Sequence, residues 1–260
     1  MQRRKLVGIQ KIVPSTTEET RLIENYIRRR VKNIEPLQIL EAGCGQKWPL
    51  QLSEVRFTLA GIDIDKDAIA LRKSKYDDLD EVIIGDLRTA KLEPNKFDVI
   101  YTAYVLEHIE NVQAVLDNFS RWLKPEGIMI IKIPDRDSVY GFIARSTPHW
   151  FHVFYYRYVK GNKNAGKPGH MPYPVVYDGD LSREKIRQFC ENNGLTILEE
   201  LGKNNYSRRL TIVDRSIKAF AKSLSTLSLG RLAWQHNDLI YIIEKNAQDS
   251  SEKSKAIPLT

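Results

Sequence analysis

Ile39-Leu-Glu-Ala-Gly-Cys-Gly-Gln-Lys47, followed 18 residues after Gly45 by Asp63 in Leu59-Ala-Gly-Ile-Asp-Ile-Asp65, decides how this chain folds. A buried strand ends at Glu41, glycines let the backbone turn tightly against a ligand, and a second strand ends at Asp63. Such an arrangement opens a nucleotide-binding βαβ unit. Ribose hydroxyls are donors, so a carboxylate at the second strand end suits them. The dinucleotide fingerprint asks for a third small residue, but Gly43-Cys-Gly45-Gln-Lys-Trp48 places Trp there, which weighs against a nicotinamide dinucleotide. A cofactor with an adenosine and no pyrophosphate does not need that residue, and S-adenosylmethionine is one.

Further motifs follow in order. Gly61-Ile-Asp63-Ile64, Gly85-Asp86-Leu87, Phe97-Asp-Val-Ile-Tyr-Thr-Ala-Tyr-Val-Leu-Glu-His-Ile109 and Leu123-Lys-Pro-Glu-Gly127 before Ile128-Met-Ile-Ile-Lys-Ile133 are spaced along one stretch. With Leu40-Glu-Ala-Gly-Cys-Gly45 they make the chain resemble the class I S-adenosylmethionine-dependent methyltransferases, in particular the small-molecule type 11/12-like group. The resemblance covers residues 36 to 135. It implies that Asp86 accepts from the adenine amino group, that Leu87 offers a backbone N–H to the ring, and that His108, directly after a Leu-Glu pair, is a functional histidine.

The residues agree when read for periodicity alone. Strand-like apolar runs at 37–40, 58–62, 81–84, 97–102 and 128–133 alternate with helical spacing at 66–75 and 109–123. The second helix carries Val112, Val115, Leu116, Phe119 and Leu123 on one stripe. Alternation of this kind predicts an α/β fold: a single Rossmann-like, seven-stranded, mostly parallel sheet with helices on both faces. A strand at 195–200 and another at 239–244 supply an antiparallel C-terminal edge hairpin. Five segments are expected: an N-terminal helical extension over 1–35, a cofactor-binding core over 36–134, a substrate lid over 135–180, the C-terminal part of the core over 181–245, and a disordered tail over 246–260. Ser15-Thr-Thr-Glu18 has the form of a capping box, and Ser182 is placed to cap a helix stopped by Gly194.

Ligands in such sheets lie beyond the carboxyl ends of the strands, where Glu41, Asp63, Asp86 and Ala103 all fall. The expected cofactor site is Glu41, Gly43, Gly45, Asp63, Ile64, Asp86, Leu87 and Ala103. Asp63 is the ribose acceptor and Asp65 its exposed neighbour; Glu41 fixes either the glycine loop or the cofactor's amino group. Transfer to an oxygen profits from a base near neutral pKa. His108 is the first candidate, His149 and His152, three residues apart, are the next, and His170 follows. Among relatives of the quinone-biosynthesis type a Glu-x-x-Glu-His group is linked to a divalent metal. Here its positions hold Tyr104, Glu107 and His108, and a phenol removes a charge that Mg²⁺ favours, so no metal is expected.

The lid segment carries the cluster His149-Trp-Phe-His-Val-Phe-Tyr-Tyr156 and is too long for a plain connection; its rings are expected to line an apolar cavity. The run Lys160-Gly-Asn-Lys-Asn-Ala-Gly-Lys-Pro-Gly169 inside it looks mobile. Residues 215–229 place Ile217, Phe220, Leu224 and Leu227 on one stripe with Lys218 and Lys222 elsewhere. Burial in the chain's own core, a partner chain, or a peripheral membrane contact all fit such a helix.

The net charge of +7 is spread widely, so solvated helix faces explain it and nucleic acid is not an expected partner. Two cysteines, Cys44 and Cys190, make neither a disulfide framework nor a zinc spacing. With no run of 18 apolar residues and no secretory core after Met1, a cytoplasmic protein is expected. The reading is a methyltransferase acting on a small-molecule hydroxyl or carboxyl oxygen, with a homodimer left open. The alternatives are an RNA or protein methyltransferase, or an inactive module that binds an adenosine ligand.

Overall fold

Eight strands form one sheet in the order β1-β7-β8-β6-β5-β2-β3-β4, in a computed structural model that describes residues 11–31, 35–45, 47–159, 161–167, 179–204 and 212–247. The strands are β1 (Lys11–Val13), β2 (Leu37–Ala42), β3 (Phe57–Asp63), β4 (Glu81–Ile84), β5 (Phe97–Ala103), β6 (Leu123–Pro134), β7 (Leu195–Lys203) and β8 (Asp238–Lys245). Only β8 runs against its neighbours β6 and β7. The central strands β2, β5 and β6 are apolar on both sides because helices cover both faces. One core layer gathers Leu40, Ile62, Ile100, Met129, Ile131 and Tyr241, the other Ile39, Leu59, Val99, Ile128, Ile130 and Ile240.

The expected seven strands are joined by an eighth. Residues 11–13 lie in the stretch read as helical, yet they pair in parallel with Leu201, Gly202 and Lys203. The β7–β8 pair is therefore not the rim of the sheet; β1 lies outside it. A three-residue strand is too short to show a period in sequence, and it forms because β7 offers an unpaired edge.

Helix α1 (Thr16–Arg28) starts where Ser15 accepts from the Glu18 N–H at 3.1 Å, and buries Ile23 and Ile27. Helix α2 (Lys66–Lys75) is capped by Asp65, so Asp65 takes the helix-start task and leaves Asp63 to face the turn after β2. Helix α3 (Val112–Trp122) buries the predicted stripe and passes directly into β6 at Leu123. Helix α6 (Arg183–Asn192) is capped by Ser182 and closed before Gly194, whose φ is +64°.

The lid segment contains helix α4 (Val139–Ser146), helix α5 (His149–Phe154) and a π turn over Tyr155–Val159. Among the described residues its rings do not line an enclosed cavity: Trp150 and Tyr158 are each 68% exposed and Phe151 and Phe154 are also at the surface. A six-residue helix is too short to turn Trp150, Phe151 and Phe154 all inward. Residues 161–167 of the expected mobile run are folded back, Arg157 donating to the Ala165 carbonyl at 2.7 Å. The remainder of that run and His170 lie outside the described residues, as does the tail from residue 248.

Helix α7 (Ile212–Leu227) corrects the predicted stripe. Among its described side chains Ala221 and Ser225 are buried, whereas Phe220 and Leu227 are exposed. Small side chains let the helix approach closely, and the Ser225 hydroxyl donates to the Leu232 carbonyl at 2.7 Å. Among the described residues no helix is long and apolar enough to cross a membrane.

Candidate functional site

The turn after β2 is built on backbone that favours glycine. Gly43 has φ +71° and Gly45 φ +49°, conformations that side chains resist. A Cβ on Gly43 would strike the Val105 side chain, while at Gly45 the nearest atom is the Gly43 carbonyl at 3.8 Å. Gly43 thus lets the chain pass close to the end of β5, and Gly45 presents open backbone. The Asp63 carboxylate, half buried at the end of β3, accepts from the Gly45 N–H at 3.1 Å and from the Asp65 N–H at 3.0 Å. An ionised carboxylate has lone pairs to spare after two such bonds.

Beneath the turn lies a buried cation that the sequence did not single out. Arg72 of α2 has no exposed side-chain surface. Its guanidinium bonds the Glu41 carboxylate at 2.7 Å, the Cys44 carbonyl, and both oxygens of Asp78 at 2.7 and 3.0 Å. Asp78 in turn accepts from the Trp48 N–H at 3.1 Å. One arginine therefore holds both ends of the glycine turn, and Glu41 serves as its anchor in the strand. Burial pushes the Glu41 carboxyl up to about 8, against the pull of Arg72. The spacing of Arg72 from Ile69, the other buried residue of α2, is the signal that could have revealed its inward position.

At the end of β4, Asp86 is bound by Arg88, which donates through Nη2 at 2.6 Å, through Nε at 3.0 and 3.1 Å, and through its backbone N–H at 2.9 Å. These bonds hold the Asp86 carboxyl below the usual range. An adenine amino group would have to share or displace them. Leu87 is buried, and its carbonyl accepts from Asn118 of α3 at 2.8 Å. Ala103 ends β5 beside the glycine turn, and Ile64 stands 69% exposed at the end of β3.

A second group of polar residues lies where β5, β6 and β8 meet. Tyr104, with φ +58°, donates its hydroxyl to Asp238 at 2.8 Å. Lys132 lies over the Tyr104 ring at 5.4 Å and pairs with Glu19 of α1, which also takes Lys203. Glu107 is buried, and its Oε2 is without a hydrogen-bond partner among the described residues. Burial pushes the Glu107 carboxyl up to about 8, with Asp238 adding to the rise. Neither Glu19 nor Asp238 carried a motif that could have marked it.

His108 lies after β5, whereas His149 and His152 share helix α5. His108 closes a short 3₁₀ turn over Leu106–His108, its ring partly exposed beside Glu107. His149 is exposed at the start of α5. The His152 Nε2 sits 3.0 Å from the Ala144 carbonyl and 3.0 Å from the Thr147 hydroxyl, so its N–H ties off the end of α4. Tethered in this way, the His152 Nε2 is engaged within the segment.

A methyltransferase domain family matches residues 16–200. A ubiquinone biosynthesis O-methyltransferase of Rickettsia typhi is 34% identical over 119 residues, 43% of this chain and 48% of that protein. A ubiquinone/menaquinone biosynthesis C-methyltransferase of Campylobacter jejuni is 23% identical over 63% of this chain and 72% of its own length. The chain spans about half the length of the first curated relatives it matches. A methyltransferase structure from Methanosarcina mazei shares the fold, with a TM-score of 0.54 at 15% identity over 86% of this chain and 98% of that one.

Proposed function

Since this chain belongs to the S-adenosylmethionine-dependent methyltransferases, matching their domain over residues 16–200, we propose that it methylates an oxygen of a small-molecule acceptor. The observation that carries this reading is the open glycine turn, with Asp63 holding Gly45 and Arg72 buried beneath, set next to Tyr104, Glu107 and Asp238. The turn and its Cβ-free approach to β5 fit a cofactor laid across β2, β3 and β5. Gly43, Gly45, Asp63, Ile64, Asp86, Leu87 and Ala103 would hold it, and Glu41 acts on it through Arg72. Bound S-adenosylmethionine supplies a methyl group on an electrophilic sulfonium, so the chain's own contribution is positioning and exclusion of water.

The acceptor lies over the ends of β5, β6 and β8, under α1 and α4. Tyr104, Asp238 and Glu107 offer hydrogen-bond partners to a hydroxyl, which favours oxygen over an unactivated carbon. Relatives named for both O- and C-methylation support the broader activity equally. His108 takes the acceptor's proton, being partly exposed and adjacent to this group; His149 stands too far into solvent and the His152 Nε2 is engaged. No divalent metal enters this reading, because Tyr104 and a neutral Glu107 form a poor donor pair for a hard cation.

Calorimetry with S-adenosylmethionine, S-adenosylhomocysteine and NAD tests the cofactor. Binding of the first two without NAD is expected, and binding of NAD alone would overturn the reading. Asp63→Ala should weaken S-adenosylhomocysteine by about 10- to 100-fold, the worth of a hydrogen bond to a charged group, while the fold persists. Unchanged affinity would remove Asp63 from the site.

A further inference from the structure

A cavity of about 290 Å³ opens between the start of α6 and the loop leading into β8, bounded by Arg183, Arg231, Trp234, His236 and, from β1, Ile12. Nothing in the methyl-transfer reading uses it. We propose that it is a binding site for a phosphate group, free or carried by a small molecule.

Two of its walls are buried polar groups left incomplete. Arg183 is 3% exposed and His236 2%, and Arg183 Nε and His236 Nδ1 are without hydrogen-bond partners among the described residues. Both side chains converge on one oxygen, Asp135 Oδ2, with His236 Nε2 at 2.7 Å and Arg183 Nη2 at 3.8 Å. The first is a hydrogen bond; the second is too long to be one. A guanidinium withdrawn from water with its Nε donor unmet is costly, and its planar fork matches phosphate and carboxylate oxygens.

His236 narrows the choice. A carboxylate oxygen accepts, so the ring donates to Asp135 through Nε2 and Nδ1 is left without a partner among the described residues. The site thus holds an unmet donor on Arg183 beside an unpartnered ring nitrogen on His236. An ionised carboxylate can meet Nδ1 only where that atom carries a proton. A singly protonated phosphate can accept from Nδ1 or donate its P–O–H to it, while accepting from Arg183.

The surrounding charges allow an anion. Arg231 is exposed at the mouth, and Lys222 of α7 lies 5.9 Å from the Trp234 ring. Against them stands buried Asp135, with Asp137 near Arg183, Arg136 and Arg145. The volume exceeds that of a phosphate, which leaves room beside Trp234 for a small organic part. Asp238, two residues beyond His236, holds Tyr104. With strands about 4.8 Å apart, and β8 two and β1 four strands from β5, a ligand anchored here lies roughly 10 to 20 Å from the end of β5.

The test is ¹⁵N NMR of the five histidine rings in the full chain while inorganic phosphate is added at constant ionic strength. A saturable shift confined to His236 is expected, weakened more than tenfold in Arg183→Gln and up to about fivefold in the exposed change Arg231→Ala. If Arg183→Gln does not fold, Arg231→Ala carries the comparison. A His236 shift reproduced by chloride, or one unaltered by the variants that fold, would overturn the site. Glycerol 3-phosphate and vesicles of phosphatidic acid in phosphatidylcholine, added in parallel, separate a soluble phosphorylated molecule from a lipid headgroup. The readout needs no turnover, so loss of S-adenosylhomocysteine binding would count against the cofactor reading and leave this one standing.

Discussion

Glu107→Gln isolates the consequence of burying an acid just beyond β5, within reach of the charge on Asp238. The Glu107 side chain is 5% exposed, its Oε2 is without a partner among the described residues, and its carboxyl is raised from 4.5 to about 8. In the unfolded chain the same group ionises near 4.5. Between those values the folded protein holds a proton that the unfolded chain has released, so stability falls as pH rises. One such proton corresponds to a slope of about −1.4 kcal/mol per pH unit across that interval, flattening above about 8 where both states are ionised. Glutamine keeps the shape and cannot ionise, so the variant lacks this term. Other shifted groups, Glu41 and Asp137 included, are common to both proteins and cancel in the difference. Urea unfolding of both chains at pH 5.5, 6.5 and 7.5 should show wild type losing ~2 to 3 kcal/mol more than Glu107→Gln over the range. An amide placed in an unpartnered cavity lowers the variant's absolute stability by about 1 to 3 kcal/mol at every pH, which leaves the relative slope unchanged. Parallel profiles would refute the reasoning, because they would mean that Glu107 is ionised in the fold or reached by water.

Gly43→Ala combines a positive φ with a clash against Val105 and should cost about 1 to 3 kcal/mol; thermal unfolding with and without S-adenosylhomocysteine checks this, and the cofactor's stabilising effect should shrink as well. Arg72→Met leaves the buried Glu41 and the partly buried Asp78 without their cation and should destabilise by about 3 to 5 kcal/mol in urea; wild-type stability would show that the network beneath the turn contributes nothing net.

The places of the glycine turn and of Asp63 at its strand end could be read in advance because they are set locally. A tight turn needs glycine whatever surrounds it, and a strand end followed by Asp needs no distant partner to be recognised. The same holds for α3, whose stripe of Val112, Val115, Leu116 and Phe119 is buried as spaced. Arg72, Glu19 and His236 were not legible, because each is a polar residue whose burial depends on partners from other elements: Glu41 and Asp78 for the first, Lys132 and Lys203 for the second, Asp135 for the third. Apolar spacing also misled over α7. Phe220 and Leu227 fit a stripe, yet close approach of the helix required the small Ala221 and Ser225. The aromatic cluster after His149 was read as a cavity wall from composition, and composition does not say which way a short helix faces.

Glu19 and Lys203 meet across 184 residues of chain, and β1 pairs with the same strand end. During synthesis, then, the first helix can settle early on Gln51 and later on Lys132, but its contact with Lys203 and the pairing of β1 must wait for β7. The strands that carry the glycine turn can associate well before that moment. That flank of the sheet is consequently fastened late, and contacts of such long sequence separation form slowly. A growing chain would pass through a stage at which the glycine turn exists while Asp238, the partner of Tyr104, has yet to emerge.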